Sequence, residues 1–116
     1  MFSSRVANGF RYAFRGLCVL VRTQANARIH VLATLGVLAA GYLKQLHATQ
    51  WALLALAIGL VWVAEGLNTA IEFLADATVS TYHPLIEKAK DIAAGAVLVA
   101  AAVAVVVGLA VFVGSI

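Results

Sequence analysis

Four polar side chains share one face of an otherwise oily stretch. In EGLNTAIEFLAD, Glu65 to Asp76, a helix places Asn68 at about −60°, Glu72 at about −20° and Asp76 at about +20° from Glu65. The run before it, WALLALAIGLVWVA, carries no charge. An ionised carboxylate facing lipid is costly, so this stripe must face other helices, water or a ligand. Taken singly, Asn68 fits interhelical glue and Asp76 a solvated group beyond the membrane. Glu65 has no such ordinary explanation.

Depth separates the carboxylates. With Trp51 at the outer interface and a rise of about 1.5 Å per residue, Glu65 lies roughly 21 Å into a core of about 30 Å. A carboxylate held where solvation is poor is a credible proton acceptor. Glu72 falls near the inner boundary, where a carboxylate can meet water, metal and phosphate. Beyond a break, YHPLIEKAKD adds His83, Glu87, Lys88, Lys90 and Asp91 at the same surface. A nucleoside triphosphate needs that mixture of cations and acceptors: magnesium takes one or two carboxylates plus phosphate oxygens, and lysine neutralises charge during phosphoryl transfer. Alone, this segment would read as a solvated turn with an ordinary ion pair.

The elements that must hold these residues are helices in a membrane. The chain has 116 residues, 64% of them hydrophobic and 11% charged, with a mean hydropathy of +1.00; a soluble domain carries about 25% charged residues. That is the composition of an all-α membrane protein of one domain, residues 1–116. Residues 1–24 form an amphipathic surface helix, with Phe2, Val6, Phe10, Phe14 and Leu17 on one side and Arg11, Arg15 and Arg22 on another. Three membrane helices follow over about 27–45, 49–76 and 84–115. QLHATQ and ATVSTYHP separate them, and Pro84 suits the first position of a helix. Ala96, Ala100, Ala104 and Gly108 form a small-residue stripe for close packing. So short a chain needs other copies to complete a sizeable pocket, which implies a homo-oligomer.

Arg5, Arg11, Arg15, Arg22 and Arg28 precede the first membrane helix, Lys88 and Lys90 lie between the second and third, and only Lys44 is opposite. The N-terminus and the acidic cluster are therefore expected in the cytoplasm. No signal-peptide cleavage pattern is evident. Arginines spaced along an amphipathic helix suit anionic lipid headgroups rather than nucleic acid. The lone Cys18 reads as apolar filling. His30 and His47, near opposite ends of the first membrane helix and without partners at ligand spacing, read as interface residues.

EGLNTAIE, YHP and AKDIAAGAVL resemble the prokaryotic diacylglycerol kinase and undecaprenol kinase family, small integral membrane lipid kinases, in order and separation. The likeness runs from RYAFRGL through the third membrane helix. It implies a homotrimer with three spanning helices per subunit, a surface helix, and an ATP and Mg2+ site at the cytoplasmic face of the bacterial inner membrane. Carried over by position, Glu65 matches the proton acceptor for the lipid hydroxyl, Asn68 shares its catalytic face, and Glu72 matches a metal-binding glutamate. Lys90, Asp91, Thr81, Tyr82 and His83 match nucleotide-contacting positions, as do Tyr12 and Arg5. HP and VWVAEGLNTAIE are closer to the undecaprenol branch.

In TQANARIH the family usually carries a metal-holding glutamate where this chain has Gln24. A glutamine offers a carbonyl oxygen and no charge. Either magnesium binds more weakly, or Asp76 or Glu87 compensates, or activity is lost; weakened but real activity is expected. The resulting reading is a lipid kinase that transfers the γ-phosphate of MgATP to a membrane alcohol, undecaprenol or diacylglycerol. A small proton-coupled transporter or ion-conducting oligomer would explain Glu65 but not the polar groups gathered at one membrane face. A purely structural oligomer would leave Glu65 without a purpose.

Overall fold

The computed structural model describes residues 2–114 and 116, and among these every regular element is a helix. In chain order they are α1 (Phe2–Thr23), α2 (Ala25–Lys44), α3 (Ala48–Thr78) and α4 (Pro84–Val113). Each boundary has a local cause. Between α1 and α2, Thr23 Oγ1 turns back to the Val19 carbonyl at 2.7 Å and Gln24 adopts an extended backbone. The Arg28 guanidinium then donates to the Val21 and Arg22 carbonyls at 3.1 and 2.9 Å. It satisfies carbonyls that the end of α1 would otherwise leave open and ties the two helices together.

The turn from α2 to α3 uses Gln45 in the left-handed region, φ 54°, with the Leu46 N–H donating to the Gly41 carbonyl at 3.2 Å. His47 caps α3: its Nδ1 accepts from the Gln50 N–H, and its own N–H donates to Gln50 Oε1. His47 is thus a helix cap, exposed at the end of a helix of membrane length. Trp51, expected at the outer interface, packs half-buried against Gly41, where an added Cβ would lie 2.6 Å from the indole ring. At the start of α4, Pro84 takes the first helical position and His83 Nδ1 accepts from the Leu85 N–H at 3.1 Å.

Among the described residues α3 and α4 are the two helices long and apolar enough to cross a membrane. α2, at 20 residues, is not among them. α3 and α4 form the most extensive helix pair, closed by small residues: Ala57, Ala93 and Ala100 are buried, Ala104 and Gly108 half-buried, and Ala96 exposed. Lys44 Nζ donates to the Phe112 carbonyl at 2.8 Å, fastening the end of α2 to the end of α4. α2 and α4 both run antiparallel to α3, so their starts and the end of α3 point to the opposite side. α1 buries only Leu20, leaving Phe2, Phe10, Phe14 and Leu17 exposed. Cys18 is exposed too, so it fills no apolar gap.

Candidate active site

One face of α3 organises the polar groups. Glu65 is the most deeply placed, with 2% of its surface exposed. Asn68, one turn on, is half-buried and donates through Nδ2 to Glu72 Oε1 at 3.4 Å. Three buried oxygens on this face have no hydrogen-bond partner: Glu65 Oε2, Asn68 Oδ1 and Thr69 Oγ1. Buried polar atoms are almost always paired, and an orphaned cluster usually marks a place where something else supplies the donor or the positive charge. Thr69 was missed in the sequence, although its position four residues after Glu65 puts it on the same face.

At the end of α3 the remaining residues converge. Lys90 Nζ is 2.7 Å from Asp76 Oδ1, and the Glu72 carboxylate is within electrostatic reach of the same ammonium. A pocket of about 310 Å³ opens here, lined by Asp76, Thr81, Tyr82, His83, Lys90 and Asp91 among others. Every nucleotide position read from the turn and from the start of α4 is therefore in one place. Glu87 belongs to the same wall, and by accepting from the Tyr82 phenol it holds the Tyr82 pKa above the ordinary tyrosine range. Asp76 and Glu87, the two carboxylates that could make up for the missing charge, both line this pocket.

The N-terminal positions are less closely gathered. Tyr12 lines a second cavity of about 470 Å³ between α1 and α3, together with Leu20, Gly66 and Thr69, and the Arg15 guanidinium lies over its ring at 5.5 Å. Arg5 is exposed near the start of α1 and lines neither pocket. Gln24 is half-buried at the N-cap of α2, makes no capping bond, and donates to Thr23 Oγ1 at 3.3 Å. It shares no hydrogen bond with Glu72.

His30, expected as an interface residue without a partner, lies against α3 instead. Its Nε2 lies 3.7 Å from Glu65 Oε2, and its ring meets Trp62 edge-on at 6.2 Å. It also borders a third cavity, about 470 Å³ and almost wholly apolar, between α2, α3 and α4. A deep carboxylate beside an apolar groove, with acids and an amide farther along the same helix and Lys90 reaching them from α4, can serve chemistry between an oily molecule and a polyanion.

The donor set suits a hard cation. Glu72, half-buried beside the Asn68 amide, offers carboxylate oxygens and Gln24 an amide oxygen, the ligand type magnesium takes. No three His, Cys, Asp or Glu side chains among the described residues are grouped to hold a metal by themselves. Magnesium at phosphoryl-transfer sites takes only one or two carboxylates and completes its shell with phosphate and water, so the two observations agree.

Fold and site together define a small helical membrane enzyme. The Prokaryotic diacylglycerol kinase family matches residues 11–112 of this chain. The undecaprenol kinase of Bacillus subtilis is 39% identical over 109 residues, covering 94% of this chain and 89% of that protein. A diacylglycerol kinase of Synechocystis sp. is 49% identical over 100 residues, covering 85% of this chain, which spans 57% of the relative's length. The Escherichia coli diacylglycerol kinase is 33% identical over 103 residues, with 89% and 84% covered. The chain belongs to the prokaryotic diacylglycerol kinase family and is a lipid kinase. A transporter reading finds no support among these relatives.

Proposed function

We propose that this kinase phosphorylates the primary hydroxyl of a membrane lipid alcohol, undecaprenol or diacylglycerol, with ATP as donor, at the cytoplasmic face of the bacterial inner membrane. The observation that carries the reading is Glu65: a carboxylate 2% exposed on an apolar helix, with Asn68 one turn and Glu72 two turns farther along and bonded to each other. Glu65 accepts the hydroxyl proton as the alcohol oxygen attacks the γ-phosphorus and the bond to the leaving ADP breaks. Direct in-line transfer needs no covalent enzyme intermediate. Asn68 orients Glu72; Lys90 neutralises phosphate charge; Thr81, Tyr82, His83 and Asp91 border the nucleotide, and Tyr12 and Arg5 are assigned to it on the family resemblance. Glu72 and Gln24 would hold Mg2+, which when bound offsets the charge of the phosphates. The apolar groove beside His30 supplies a place for the alkyl chain.

The same reading takes residues 1–116 as one integral membrane domain. In it α2 is the third span, α1 lies on anionic headgroups at the inner surface, and three copies assemble. The arginine bias of α1 and its bare apolar face support that placement.

Purified protein incubated with γ-labelled ATP, magnesium and either undecaprenol or diacylglycerol tests the proposal. Label entering the lipid is the expected result, and the better acceptor identifies the substrate. Hydrolysis of ATP without lipid labelling in both arms would overturn it.

A further inference from the structure

We propose that His30 is a positioning residue for Glu65, a role that rests on the kinase reading above. The imidazole Nε2 is 3.7 Å from Glu65 Oε2, a buried oxygen with no hydrogen-bond partner. No other charged or titratable side chain makes a described ion pair with Glu65. The distance is slightly long for a hydrogen bond, as contacts in ligand-free sites often are before substrate closes them.

The placement of His30 is itself enforced. Trp62, three residues before Glu65 on α3, donates from Nε1 to Thr34 Oγ1 at 3.1 Å, and Thr34 lies one turn beyond His30 on α2. The same indole meets the imidazole edge-on, with an angle of 64° between the rings. Two contacts one helical turn apart thus fix the register of α2 against α3 and hold the imidazole opposite the carboxylate. Its low solvent exposure strengthens any hydrogen bond it makes.

Placed 3.7 Å away, the imidazole Nε2–H donates to Glu65 Oε2 once the site closes. That holds one carboxylate oxygen toward α2 and leaves the other for the alcohol. When the alcohol O–H bond breaks, its proton goes to this second oxygen as the new O–P bond forms; His30 keeps its own proton throughout. His30 therefore acts on the orientation of Glu65 and touches neither substrate at the reacting atoms.

Two variants and one spectroscopic measurement test this. His30→Ala should lower kcat on the order of 10- to 100-fold, with KM for ATP and lipid little changed. His30→Gln, whose side-chain amide can donate to the same oxygen, should recover most of the loss. Independently, the 15N resonance of the His30 imidazole Nε2, assigned by its disappearance in His30→Gln, should shift on Glu65→Gln substitution. Wild-type kcat in His30→Ala, a loss that appears only in KM, or a resonance indifferent to Glu65→Gln would each overturn the role. Inactivity of the wild-type protein toward both lipids would instead overturn the kinase reading, and this role with it. An active wild type with an indifferent His30→Ala would leave the kinase reading standing and remove only His30.

Discussion

Gln24 stands at the N-cap of α2 with only Thr23 as a side-chain partner, where a carboxylate would add a charge near the proposed metal site. Asp76 faces Lys90 and Glu87 the Tyr82 phenol, so part of the charge of each is already engaged. Weak magnesium affinity is the expected outcome. Gln24→Glu should lower the magnesium concentration for half-maximal activity by roughly tenfold, since a hard cation gains most from an added carboxylate. An unchanged magnesium titration would remove Gln24 from the ligand set. At this scale the sequence was most informative where position alone decides: a helical repeat put Glu65, Asn68, Glu72 and Asp76 on one face. It was silent about His30 and Glu65, because their contact joins residues 35 positions apart on two helices. Only a packed register brings them together.

Helix ends and crossings hold that register. Gly41 lets the Trp51 ring lie against α2, and an added Cβ would stand 2.6 Å from the indole. Gly41→Ala should cost about 1–3 kcal/mol, the usual penalty of overpacking, seen as a lower thermal midpoint in detergent. Gly108→Ala is the control, since a Cβ there meets nothing within 4 Å. His47→Ala removes the side chain that caps α3 and should cost roughly 0.5–1 kcal/mol, whereas His47→Ser should retain most of it; unfolding curves of the two variants separate these outcomes. The breaks at QLHATQ and ATVSTYHP were legible because turn residues and Pro84 interrupt long apolar runs. The capping function of His47 was not, since a histidine cap differs from a surface histidine only in backbone conformation and in the reach to Gln50.

For the whole molecule, two apolar helices of membrane length and a basic amphipathic α1 were readable from composition and periodicity. The third span over 27–45 and the homotrimer, also expected from the sequence, belong to the proposal, because they depend on what covers the exposed faces rather than on any one stretch. The proposed topology sets the turn before α4 and the end of α1 in the cytoplasm. A Ser80→Cys variant lacking Cys18 should react with a membrane-impermeant maleimide only in inside-out vesicles. Labelling of right-side-out vesicles would invert the arrangement and remove the ATP site from its supply of nucleotide.

The central claim is that a buried carboxylate on α3 takes the proton of a lipid hydroxyl. Glu65→Gln conserves shape while removing the basic group, so the most direct measurement is lipid phosphorylation by that variant at saturating MgATP, beside its thermal midpoint and oligomeric state. The expected result is a fall in kcat on the order of 10²- to 10⁴-fold with the assembly intact. Turnover near that of the wild type in a folded Glu65→Gln protein would contradict the account.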